Sequence, residues 1–137
     1  EPLNATVQHI DGEWHVHVGT QSTSFARMTL TGYLSNVLKK KPEDIKVFVH
    51  HYLVGGGFGG KQDYDDILAA AYCVKETGRP VKLIHTRETN FATSFARTPT
   101  YHKLTAGIKN GELVAMNQAI VCGWVGARPM SRRHTCR

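Results

Sequence analysis

The sequence predicts an α/β (α+β) fold in which a mixed sheet carries two main helices and two β-hairpins. Two stretches of period-two alternation each straddle a two-residue turn signal, Asp11-Gly12 and Asn110-Gly111, whose residues accept the positive φ that a tight hairpin turn needs. Two longer apolar stretches, over 22–38 and 65–74, recur at helical spacing behind capping residues. Two β-branched runs, Ile45-Lys46-Val47-Phe48-Val49 and Val81-Lys82-Leu83-Ile84-His85, place strands on either side of the second helix.

In chain order, Ala5-Thr6-Val7-Gln8-His9 and Glu13 to Val18 form the first hairpin, with His15 and His17 on the face opposite Val16 and Val18. Two histidines on one strand are of metal-ligand type, yet without a third ligand an open polar face accounts for them. Ser22-Thr23-Ser24 offer N-caps to the first helix, which carries Phe25, Met28, Leu30, Tyr33, Leu34, Val37 and Leu38. It stops by Lys41-Pro42, because proline disfavours helical geometry in the residue before it. The 45–49 strand runs into a glycine loop, Gly55 to Lys61. Asp65-Asp66 then open the second helix at its positive end, Cys73 sits in its apolar body as a small hydrophobe, and Gly78 followed by Pro80 closes it. Strand, glycine loop, helix and strand together have the arrangement of a βαβ unit. Arg87 to Thr98 reads as polar and irregular, anchored by Phe91 and Phe95. Tyr101–Lys109 and Leu113–Val121 form the second hairpin, and from Gly123 onward the periodicity stops.

With 137 residues, 41% hydrophobic and 20% charged, the chain holds one ordinary core, and no apolar run is long enough to span a bilayer. The net charge is +6, but Lys39-Lys40-Lys41 and Arg132-Arg133 with Arg137 supply six of the seventeen lysines and arginines, and neither cluster is interleaved with aromatics. That pattern argues against nucleic-acid binding. Cys73, Cys122 and Cys136 are odd in number and widely spaced, which argues against a disulfide framework, a zinc site or an iron–sulfur cluster in this chain.

The glycine loop is the densest signal. Gly55, Gly57 and Gly60 satisfy the dinucleotide-binding spacing between a strand and a helix, but the only candidate ribose acid, Glu88, lies about 28 residues beyond Gly60 against about 20 expected. Gly55 to Lys61 also satisfies most of a P-loop, in which backbone N–H groups cradle phosphates and the lysine reaches the terminal ones. Gln62 stands where the magnesium-binding hydroxyl belongs, so nucleotide hydrolysis is not expected, while anion binding survives. A non-catalytic anion- or nucleotide-binding module using the loop as a phosphate cradle is therefore one reading, and a turn that only permits close packing is another.

The whole string Gly55-Gly56-Gly57-Phe58-Gly59-Gly60-Lys61 also resembles the signature of the molybdenum hydroxylases, the xanthine dehydrogenase and aldehyde oxidase superfamily. Glu1-Pro2-Leu3-Asn4-Ala5, Thr20-Gln21-Ser22, Thr77-Gly78-Arg79-Pro80-Val81-Lys82 and Thr86-Arg87-Glu88 match in order, over roughly residues 1–121. The opening is most similar to the molybdopterin-binding large subunit of the isoquinoline 1-oxidoreductase type. The resemblance implies that residues 1–122 are a partial molybdopterin-binding domain, and the unpatterned residues 123–137 are expected to be an irregular basic tail.

What the resemblance implies is hydroxylation of aldehydes or aromatic N-heterocycles with water-derived oxygen. The cofactor would be molybdopterin, in bacterial members often as a cytosine dinucleotide, with no protein side chain ligating the metal. Gln21 matches a glutamine that donates to an oxygen on molybdenum, although it also suits a role in capping the first helix. Gly56, Gly57, Phe58, Gly59 and Gly60 match the loop that brings main-chain N–H groups to the cofactor, with Phe58 and Gln62 on the substrate side. Gln62 departs from the glutamate of xanthine-oxidising members, so xanthine is not expected as a substrate. The family's catalytic glutamate lies far beyond the length of this chain, so no catalytic residue is assigned here, and the chain is expected to be inactive alone and able to stand without its cofactor. Implied partners are the remainder of the large subunit, a small subunit with [2Fe-2S] clusters, and a second copy of the chain through surfaces left uncovered. The compartment stays open between the cytoplasm and periplasm of a bacterium.

Overall fold

A computed structural model describes residues 1–94 and 97–123. Phe95 and the tail beyond Gly123, with Cys136, lie outside the described residues. Residues Glu1–Ser94 form one compact unit, and the chain from residue 95 onward belongs to a second.

The first unit is a four-stranded mixed sheet with helices on one face. Strands β1 (Asn4–Ile10) and β2 (Glu13–Val18) form the expected hairpin, with Asp11 at φ 51° and Gly12 at φ 81° in the turn. Helix α1 (Thr23–Leu38) follows, capped by the Ser22 hydroxyl, which accepts from the Phe25 N–H. Strand β3 (Lys46–His51) leads to the glycine loop, helix α2 (Asp65–Thr77) ends on Gly78 in the left-handed region, and β4 (Val81–Ile84) completes the sheet in the order β3-β2-β1-β4. Alternation decides the faces. Val7, Val16 and Val47 point to the helices, where they pack with Leu30 and Leu34 of α1 and Ile67, Ala70 and Val74 of α2, all nearly inaccessible to solvent. Burying each of the larger side chains stabilises the unit by about 1.5–3 kcal/mol. No described helix is long and apolar enough to cross a membrane.

Four expectations need correction. The adjacent parallel pair is β2 with β3, bridged by α1, whereas β3 and β4 sit at opposite edges of the sheet. The unit containing the glycine loop is therefore not a simple βαβ. The segment expected to be irregular contains a short helix, α3 (Arg87–Thr93), started by the Thr86 hydroxyl accepting from the Thr89 N–H. Phe91 on that helix is 74% exposed and anchors nothing in this unit. Phe25 and Met28 of α1 also face outward, because the buried stripe runs through Ala26, Leu30 and Leu34.

In the second unit, β5 (Thr100–Lys109) and β6 (Glu112–Cys122) pair antiparallel across Asn110-Gly111, with φ values of 53° and 84° in the turn and one irregularity at Gly107/Ile108.

Candidate functional site

Parallel pairing of β2 and β3 places Val18 opposite His51, so Gly19-Thr20-Gln21 and the approach to the glycine loop leave the sheet at the same end. β1 runs antiparallel to β2 and β4 antiparallel to β1, which brings the start of β1 and the end of β4 to that end as well. The carboxyl ends of such strands are where open α/β sheets place ligands.

Short bonds fasten the segments together. The Tyr52 N–H donates to Val18 O at 3.1 Å, the Thr20 hydroxyl to Lys61 O at 2.9 Å and the Gln21 N–H to the same oxygen at 3.2 Å. His51 Nε2 lies 3.0 Å from Thr20 O. The side chain of Gln21 then turns onto the loop, where its Oε1 accepts from Gly59 N–H at 2.9 Å and Lys61 N–H at 3.2 Å. A carboxamide oxygen has two lone pairs, and both are engaged. The two bonds assign the oxygen to the loop side, which leaves Nε2 as the donor of this exposed residue.

Different glycines of the loop answer to different demands. A Cβ on Gly57 would overlap the carboxamide of Gln21, so glycine there makes room for that side chain. Gly56 at φ 116° and Gly59 at φ 84° take backbone conformations that side chains rarely adopt. Phe58 between them also has a positive φ, 47°, and the residue is 84% exposed. A bulky residue in that region marks local strain of the sort retained at functional sites. Gly60 and Gln62 lie in a single 3-10 turn, with Gln62 exposed.

Lys61 does not extend over the loop as a P-loop lysine would. Its side chain is 7% exposed, and its ammonium lies 3.4 Å from both Pro2 O and a Glu1 carboxylate oxygen. The Glu-Pro-Leu-Asn opening thus acts as a tether, since Pro2 O also accepts from the Asn4 side chain and Leu3 O from the His85 N–H. A phosphate cradle needs free N–H groups and a reaching lysine. Here two of the loop's N–H groups hold Gln21, and the lysine is buried.

In the first turn of α2, Asp66 is 1% exposed, and its carboxylate accepts from the Ile67 N–H at 2.9 Å. Burial lifts its pKa to about 6, opposed by that N–H and by the nearby His85 and Lys61. His85 Nδ1 is itself buried with no hydrogen-bond partner among the described residues.

Gln21, Gly57, Gly59 and Gly60 are thus brought together, while Phe58 and Gln62 project outward beside them. Thr20, His51, Pro2 and Asp66 were given no site role from sequence, although Thr20 and Pro2 fall in the matching motifs and Asp66 at the start of the second helix. What they contact depends on strand pairing across the unit.

Two of the loop's amides thus hold the Gln21 carboxamide at the carboxyl end of two parallel strands. The chain belongs to the molybdopterin cofactor-binding domain family, which it matches over residues 1–131. It is 33% identical over 126 residues to a membrane-bound aldehyde dehydrogenase [pyrroloquinoline-quinone] of Gluconacetobacter polyoxogenes, covering 90% of this chain and 16% of that protein. It is 36% identical over 89 residues to isoquinoline 1-oxidoreductase subunit beta of Brevundimonas diminuta, covering 64% of this chain and 11% of the relative. The fold matches a crystal structure of a copper- and molybdenum-containing carbon monoxide dehydrogenase in its carbon monoxide reduced state. That match has a TM-score of 0.56 at 21% identity, over 88% of this chain and 15% of the other. The chain therefore spans about a sixth or less of the length of each of these proteins.

Proposed function

We propose that this chain forms part of the molybdopterin-binding catalytic subunit of a molybdenum hydroxylase that oxidises aldehydes or aromatic N-heterocycles. The observation that supports the reading is Gln21, an exposed residue whose carboxamide oxygen accepts from two loop N–H groups, leaving its NH2 group as the donor. The residues fit the group: a donor without charge suits an acceptor on the cofactor, and Gly57 leaves the clearance that the Gln21 carboxamide needs. When bound, the cofactor supplies the two-electron oxidation. The chain's own residues orient and enclose. Gln21 Nε2 donates to the cofactor, the main chain of Gly56 to Gly60 approaches it, and Phe58 with Gln62 borders the substrate. The relatives' names, an aldehyde dehydrogenase and an isoquinoline oxidoreductase, support these two substrate classes. The cytosine dinucleotide form of the cofactor, and partners comprising the rest of the large subunit and a small [2Fe-2S] subunit, belong to the same proposal.

The test is metal and pterin analysis of the chain produced together with those partners. Molybdenum and pterin co-purify with the assembly, and Gly57→Ala lowers their occupancy about 10-fold or more, as loss of a supporting contact does at metal sites. An intact assembly that carries neither molybdenum nor pterin overturns the reading.

A further inference from the structure

The face of the sheet away from the helices carries a feature that the proposed function does not use. Pairing register sets His17 opposite His50 on one side and Thr6 on the other, with Lys82 beyond Thr6. His15 lies opposite Phe48 and Gln8. The rings form a continuous ladder across the β2–β3 seam. Phe48 stacks on His15 with centroids 5.3 Å apart, His15 on His50 at 5.3 Å, His50 on His17 at 4.5 Å, and Tyr52 closes the row 5.9 Å from His17. His15 Nδ1 and His50 Nε2 are 3.0 Å apart, a hydrogen bond that requires one proton between two ring nitrogens. Among the described residues no three His, Cys, Asp or Glu groups converge to hold a metal ion.

We infer that the His15–His50–His17 stack is a proton-sensitive joint, which fastens the edge strand β3 when neutral and loosens it when more than one ring is charged. One added proton leaves the His15–His50 bond intact, as imidazolium donating to imidazole. A second proton on this pair turns both facing nitrogens into donors, breaks the bond and sets cations in contact, and one on His17 sets its charge against the stacked His50 ring. The surrounding charges limit relief. Glu13 is the one carboxylate paired with the stack among the described residues, 3.8 Å from His15 Nε2, and Lys46 already holds its other oxygen at 3.2 Å. Lys82 lies in the same row as His17, and the Tyr52 hydroxyl lies 3.3 Å from His17 Nδ1. Burial and the neighbouring His50 and His15 hold His17 below its ordinary value.

The joint reaches the candidate site. β3 is at the edge of the sheet, held on one side only by β2. Its last residue, His51, bonds Thr20 O, and the next, Tyr52, bonds Val18 O, so displacement of β3 pulls on the segment bearing Gln21 and on the glycine loop that follows. Acidification is thus transmitted from an open sheet face to the loop.

Amide exchange of the 137-residue chain, compared as protection factors at pH 7.5 and 5.5, tests this without any cofactor and so independently of the proposed function. Protection of residues 47–52, and of Gly59 and Lys61, falls about 10-fold on acidification relative to the β1–β4 pairing. The triple variant His15→Gln, His17→Gln, His50→Gln loses that pH response. Equal acceleration in wild type and variant, or none in the wild type, overturns the inference. Should the variant not fold, NMR titration of the wild-type imidazoles decides: mutually dependent curves with slopes below one support the joint, and independent unit-slope curves overturn it.

Discussion

At the scale of single residues, Gln21 separates two functions that one substitution would normally confuse. Gln21→Glu keeps an acceptor for the Gly59 and Lys61 N–H groups, now charge-assisted, but removes the outward donor. Urea unfolding of the chain should place it within about 1 kcal/mol of wild type, whereas Gln21→Ala, which returns both N–H groups to water, costs about 1 kcal/mol. In the assembled protein both variants should lose cofactor. Gly57→Ala drives its Cβ into Gln21 and costs about 1–3 kcal/mol in the same unfolding measurement. Asp66 makes a prediction with a sign. Its folded pKa, raised to about 6 from 3.8, means the folded state binds the proton more tightly. The associated stability is complete below 3.8 and is lost as pH rises through about 6. The gap corresponds to about 3 kcal/mol. Asp66→Asn, uncharged at every pH, should therefore match wild type near pH 3 and exceed it by up to that amount above pH 7, as read from paired urea titrations. A pH-independent difference between the two chains would contradict the assignment of burial as the cause.

Among the elements, α1 ends on Lys39, held at φ 56° where a side chain is penalised. Lys39→Gly should raise stability by up to about 1 kcal/mol, measured by thermal unfolding. The elements also mark where sequence reasoning works. Both hairpins were legible because turn residues and alternation are local, and Asp11-Gly12 and Asn110-Gly111 take the positive φ their chemistry favours. The two long helices were legible from caps and apolar spacing, although Phe25 and Met28 misled, since the stripe that tertiary packing selected is Ala26-Leu30-Leu34. Helix α3 was missed because its seven residues bury none of their side chains and so have no apolar stripe; only Thr86 signalled its start. The parallel union of β2 and β3 was out of reach, because no local pattern states which strands become neighbours. The same holds for the candidate site. The glycine loop and Gln21 were visible as motifs, but Gly57's duty to Gln21 and the burial of Lys61 by Pro2 and Glu1 depend on that union.

For the molecule as a whole, the two units differ in what holds them. Residues 1–94 enclose a core between sheet and helices, whereas β5 and β6 form a two-stranded ribbon in which nearly every residue is exposed. A lone ribbon is marginal in water. Its register gathers Leu104, Met116 and Ile120 on one face, each more than half exposed, which is the pattern of a surface that another surface covers. We propose that in the longer subunit this cover comes from elsewhere in the protein, and that a second copy of the 137-residue chain can supply it when the chain is studied by itself. Sedimentation of the purified chain at tens of micromolar should therefore show concentration-dependent association. Leu104→Lys with Met116→Lys should weaken it while leaving the amide protection of residues 1–94 unchanged. A wild-type chain that sediments as a monomer throughout that range would show that the ribbon needs no partner, and association unaffected by the paired substitutions would assign the contact to another surface.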